Sequence, residues 1–103
     1  MYVQNLGFNP GASYNVNSSD TAQSLATNKL IVNRVAMKVA RIVVQIAPIR
    51  VTNGGATPVA GGLGELVEIG GEIVLESKEE CEGFRFINEE TGNNATLVVH
   101  PAY

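Results

Sequence analysis

The chain has 103 residues, 45% of them hydrophobic and 17% charged, with a net charge of −3 at pH 7. That length makes one domain burying roughly 60–70% of its unfolded surface, and the low charged fraction argues against a disordered chain. One cysteine excludes an intramolecular disulfide, an acidic balance with scattered basic residues argues against nucleic acid as a partner, and no apolar run is long enough to span a bilayer.

The first 28 residues are rich in Asn, Ser, Thr and Gly, with Tyr2, Phe8 and Tyr14 scattered among them. Asn9-Pro10-Gly11 is a turn signal, since proline fixes φ and glycine accepts positive φ. Residues 1–11 read as an N-terminal arm ahead of a domain over 12–103, which opens with short strands at 12–16 and 22–26. So polar an arm is ordered by docking, onto its own domain or onto a neighbour. No secretory-signal pattern opens the chain, so synthesis and folding in the cytoplasm are expected.

Residues 30–46 support two periods. With helical spacing, Arg34, Lys38, Arg41 and Gln45 share one face and Val32, Val35, Val39, Ile42 and Ile46 another. With period two, Ala40, Ile42, Val44 and Ile46 point inward. The β-branched content favours a strand over 39–46 and leaves 30–38 open.

Beyond Pro48 the punctuation is that of a sheet. Strands are expected at 49–52, 57–60, 65–69, 72–76, 84–87 and 95–100. Asn53-Gly54-Gly55, Gly61-Gly62-Leu63-Gly64, Gly70-Gly71, an acidic loop over 78–83 and Thr91-Gly92-Asn93-Asn94 separate them. Short strands broken every eight to twelve residues make an all-β chain, a β-sandwich or jelly-roll-like single domain with an N-terminal arm.

Charge is uneven along the chain. Residues 1–64 carry five basic side chains against one carboxylate, and residues 65–103 carry two against nine. Either neighbouring copies complement one another head to tail, or the halves interleave in one sandwich and the charges mix.

Chemistry-bearing groups are few. Glu79, Glu80 and Glu82 are three carboxylates of the kind calcium takes, but they lack the ligand ladder of an EF-hand and read as a solvated turn. Cys81 lies between two of them, and negative neighbours raise a thiol's pKa, so it reads as a small hydrophobe. His100 is the sole histidine; with one Cys and one His, a structural zinc site is excluded. The glycines match no phosphate-binding motif. No catalytic, cofactor or metal residue is therefore assigned, and the expectation is a non-enzymatic protein without a cofactor.

From Pro48 onward the chain resembles small structural proteins of tailed bacteriophages. The resemblance rests on Ile49-Arg50-Val51-Thr52-Asn53-Gly54, Gly70-Gly71-Glu72-Ile73-Val74-Leu75-Glu76-Ser77, Gly83-Phe84-Arg85-Phe86-Ile87-Asn88 and Ala95-Thr96-Leu97-Val98-Val99, with Thr21-Ala22-Gln23-Ser24-Leu25 also in keeping. It covers half to two-thirds of the chain. It implies a capsid decoration or cement protein on the virion surface, a homo-oligomer (trimer or dimer) bound to the major capsid protein, with no nucleic-acid or membrane partner. Tail, spike or head-completion subunits share the pattern, and a carbohydrate-binding sandwich is a further alternative. Tyr2, Leu6, Phe8 and Tyr14, with His100 and Tyr103 at the far end, are the candidate interface residues; the other reading has them cover the domain's own core.

Overall fold

A computed structural model describes residues 9–103. Two four-stranded antiparallel sheets form the domain. The first has the order β1 (Tyr14–Asn17), β10 (Thr96–Ala102), β5 (Val39–Gln45), β8 (Glu72–Leu75). The second has β2 (Gln23–Ser24), β9 (Arg85–Asn88), β6 (Ile49–Thr52), β7 (Glu65–Val67). The strand pair β1–β2 runs against β9–β10, and β5–β6 against β7–β8, each pair split between the sheets. This is the rolled double strand of a jelly roll.

Alternation builds the core. Along β5, Ala40, Ile42 and Val44 are buried while Arg41 and Gln45 face water; along β10, Leu97, Val99 and Pro101 are buried. Ile49, Val51 and Phe86 face them from the second sheet, and Leu25, Met37, Cys81 and Phe84 close the space. Pro101 does not end its strand, which continues to Ala102. Its carbonyl accepts from Gly11 N–H, so the missing proline N–H falls on that side and no bond to β5 is lost. The described part of the arm thus extends this sheet: Pro10 bridges Ala102, and Asn9 and Tyr103 exchange both backbone bonds.

Several expectations are corrected. Residues 57–60 are not a strand but part of a long connection, in which Pro58 is buried and offers no N–H to a ladder. The acidic segment is a helix, α2 (Lys78–Gly83), because Ser77 caps it: the Ser77 hydroxyl accepts from Glu80 N–H, and the Glu80 carboxylate accepts from Glu76 N–H. Ile46 points outward, since the alternation of β5 is broken by a tight turn at that residue. The open segment 30–38 is α1 (Thr27–Leu30) running into a hairpin of β3 (Ile31–Val32) and β4 (Val35–Ala36).

The two halves of the chain contribute strands to both sheets, and their charges meet there. Arg41 pairs with Glu72, and Arg50 with Glu89.

Candidate interaction surfaces

At one end of β5 stands the β3–β4 hairpin. Asn33 (φ 52°) and Arg34 (φ 68°) both have positive φ, which makes its two-residue connection a type I′ turn. The hairpin is not folded onto the core: Ile31 is 51% exposed, and Val32 and Val35 are also exposed. A cleft of about 530 Å³ lies between it and the segment around Pro10, with Tyr103 in its wall. The Tyr103 hydroxyl donates to the Lys29 carbonyl, and the Lys29 ammonium sits 4.8 Å from the centre of the Tyr14 ring. Tyr14 and Tyr103 are therefore brought together beside Lys29. Tyr14 faces inward from β1, and burial, with Tyr103 and Cys81 nearby, pushes its hydroxyl up to about 12. Gly11 permits this packing, because a Cβ there would lie 2.5 Å from the Tyr103 ring.

The opposite end of β5 is a largely polar, acidic surface that carries two exposed isoleucines. Ala47 N–H donates to the Gln45 carbonyl (2.9 Å) across Ile46, whose φ is 80°. That is a γ-turn of the rarer, strained hand. It leaves Ile46 70% exposed beside Ile69, 60% exposed, in a recess of about 620 Å³ that also takes in Glu68 and Glu90. The recess wall is fixed by a polar network around Asn88, which is buried. Its amide donates to Asp20 Oδ1 (2.9 Å) and Asn94 Oδ1 (2.7 Å), and its carbonyl oxygen accepts from the Ser18 hydroxyl. Ser18 Oγ in turn accepts from Ala95 N–H (2.7 Å). The Gly92 N–H and the Asn88 amide hold Asp20 below its ordinary pKa.

The connection 53–64 is strapped to the outer face of the second sheet. Arg50 makes a bidentate pair with Glu89 (2.8 and 2.9 Å) and donates to the Gly62 and Gly64 carbonyls, while Glu89 accepts from Gly61 N–H. Gly64 has φ 118°, and a Cβ there would lie 2.7 Å from the Val51 carbonyl oxygen, so only glycine fits. The Arg50 guanidinium and the Gly61 N–H lower Glu89 to about 2 from an ordinary 4.5. A carboxylate depressed on folding adds stability at pH values above its ordinary range. That stability is lost as pH falls from about 4.5 through about 2. The protection of the Gly61 amide, its exchange relative to an unstructured chain at the same pH, is therefore expected to fall over that window. Glu89→Gln should show the low protection already at pH 7, and a Gly61 amide indifferent to both changes would refute the strap.

The remaining groups have structural partners. Cys81 is fully buried, and desolvation, then Glu80 and Glu82, push its thiol up to about 11, far from a reactive thiolate. Glu82 pairs with Lys78 at 2.9 Å. His100 Nδ1 meets the Ser13 hydroxyl at 2.7 Å, a pair that the sequence did not signal across 87 positions. Neither cleft includes it, and among the described residues no acidic group hydrogen-bonds the ring. The contact ties the start of β1 to β10. Among the described residues no three Cys, His, Asp or Glu side chains converge on a metal position, and no helix is long and apolar enough to cross a membrane.

Of the sequence-derived interface residues, Tyr14 and Tyr103 meet at the hairpin end, and His100 lies on the outer face of the first sheet. Tyr2, Leu6 and Phe8 lie outside the described residues. Sequence reasoning missed Ile31, Val32, Val35, Ile46 and Ile69, which expose the most apolar surface at the two ends. No protein family, characterised protein or solved structure matches the chain.

Proposed function

We propose that this chain is a non-enzymatic virion structural protein of a tailed bacteriophage, a homo-oligomer (dimer or trimer) that binds the outer capsid surface and cements neighbouring major capsid subunits. The observation that carries this reading is where the exposed apolar side chains stand. Among the described residues, Ile31, Val32 and Val35 project from the hairpin and Ile46 and Ile69 from the strand-end turn, at opposite ends of the jelly roll, while Val59, Leu63, Leu66 and Val74 are exposed on the 53–64 connection, β7 and β8. Neither end forms a closed pocket for a small ligand; protruding apolar groups rimmed by charge suit flat protein partners. The partner is taken from the resemblance read in the sequence of residues 48–103, and the jelly roll is an architecture found among capsid proteins.

A protein that binds only the assembled lattice stabilises it by mass action. Several weak contacts made by one oligomer act together, because each later contact is intramolecular. The test is co-sedimentation of the purified chain with empty tailed-phage heads built from the major capsid protein of the genome that encodes it. Binding should saturate at a fixed ratio to capsid subunits and raise the melting temperature of the heads. Absence of binding, or binding without a change in melting, would overturn the reading.

A further inference from the structure

At each end of β5 an exposed side chain sits on a backbone conformation that penalises it. Arg34, at φ 68°, occupies the second position of a type I′ turn, where glycine is the favoured residue. Ile46, at φ 80°, centres its γ-turn, where a β-branched residue is an outlier. Neither belongs to the core. Glycine would relieve the backbone at both positions, so the fold itself gives no reason for either side chain. Strain held at exposed positions points to what those positions contact.

The surroundings of the two residues are complementary. The hairpin end presents Ile31, Val32 and Val35 with Arg34 and Lys38, and the sequence holds no carboxylate from residue 21 to residue 64. Among the described residues Arg34 and Lys38 form no ion pair. The other end presents Ile46 and Ile69 with Glu68 and Glu90, and its lining includes no basic residue. β5 separates the two by roughly 20 Å at the usual strand rise, so they cannot meet within one chain.

We propose that the β3–β4 hairpin of one copy seats in the Ile46–Ile69 recess of a second copy, apolar side chains together, with Arg34 and Lys38 facing Glu68 and Glu90. The occupant is a second copy because the basic hairpin and the acidic recess are complementary in charge, and the exposed valines and isoleucine of the one can cover the two exposed isoleucines of the other. Such a contact is heterologous, so every copy offers one hairpin and one recess, and association proceeds to a closed ring or an open chain. The inference rests on the homo-oligomer part of the reading above; it assigns both surfaces to contacts between copies, so that failure of self-association would leave them to the capsid.

Light scattering after size separation tests it with five proteins: wild type, Arg34→Glu, the double variant Glu68→Lys/Glu90→Lys, Arg34→Gly and Ile46→Gly. Wild type should associate in a concentration-dependent way, and each charge variant should be monomeric. An equimolar mixture of the two charge variants should associate again, because the unaltered basic hairpin of the recess variant meets the unaltered acidic recess of the hairpin variant. The two glycine variants should lose about tenfold or more in self-affinity. Their melting temperature should be unchanged or higher, by up to roughly 5 °C, which separates loss of contact from loss of fold. A wild-type monomer at its highest soluble concentration, charge variants that associate like wild type, or a mixture that stays monomeric would each overturn the contact. Co-sedimentation of the monomeric variants with heads keeps the two readings apart, since binding that persists leaves the capsid role intact.

Discussion

Replacing Phe86 with alanine is expected to remove about 3–5 kcal/mol of unfolding free energy, the largest effect of any single change considered. Phe86 is fully buried in β9, paired with Val51 on one side and Gln23 on the other, and stacks on Phe84 with ring centroids 5.6 Å apart. It is among the largest side chains in the core. Truncation loses both the transfer free energy of the ring and the contacts of a cavity that paired strands cannot close. A domain of this size has about 5–15 kcal/mol in total, so the variant should sit close to its unfolding midpoint. Urea titration with a two-state fit measures the loss; a cost under about 1 kcal/mol would show that the sheets do not pack around this ring.

The second large effect is expected at Asn88, where alanine should cost about 2–4 kcal/mol and lower the melting temperature by roughly 10–20 °C. Three side-chain hydrogen bonds disappear together. The buried Ser18 hydroxyl loses its partner where water does not replace it readily, whereas the exposed Asn94 can turn to solvent. Asn88→Asp separates packing from hydrogen bonding: the shape is kept, but a carboxylate now stands against Asp20. Its deficit should therefore be greater at pH 7 than at pH 3, where the introduced group is neutral and can donate. Equal deficits at the two pH values would mean that the network matters only as filled space. Because Asn88 holds residues 18–20 and 92–95, the Ile46 recess should loosen with it, and amide exchange in those segments is the local readout.

Legibility in the sequence followed burial. β5, β6, β9 and β10 alternate buried and more exposed positions because one face of each lies on the core, and these strands, with β8, were readable within one or two positions from their β-branched content and the turns between them. The β3–β4 hairpin was not, because neither of its faces is packed, and Asn33-Arg34 lacks the glycine that marks a type I′ turn. The helix α2 carried a visible signal, Ser77 followed three residues later by Glu80, which the run of carboxylates masked. Residues 57–60 were misread because the connection is held by the burial of Pro58 and by the Arg50 and Glu89 bonds to the following Gly61, Gly62 and Gly64, not by a strand partner. Two of the six candidate interface residues were brought together, Tyr14 and Tyr103. The exposed isoleucines were not foreseen, since an apolar residue in an alternating strand is read as inward-facing until the turn that redirects it is seen.

The pairing of β1 with β10 sets a condition on biosynthesis. The first sheet joins residues 14–17 to residues 96–102, and β10 also bridges β1 to β5. Until β10 has emerged from the ribosome, β1 has no partner in that sheet and β5 lacks one of its two neighbours. The inner faces of β1 and β5 stay wet for the several seconds that translation needs to cover the intervening residues. Pairing across such a loop is slow even in the finished chain, because closure entropy is lost before any contact offsets it. Nascent copies on one messenger RNA thus expose the same half-built sheet side by side. Their yield as native protein should depend on chaperone supply and on the spacing of ribosomes as much as on the stability of the completed roll.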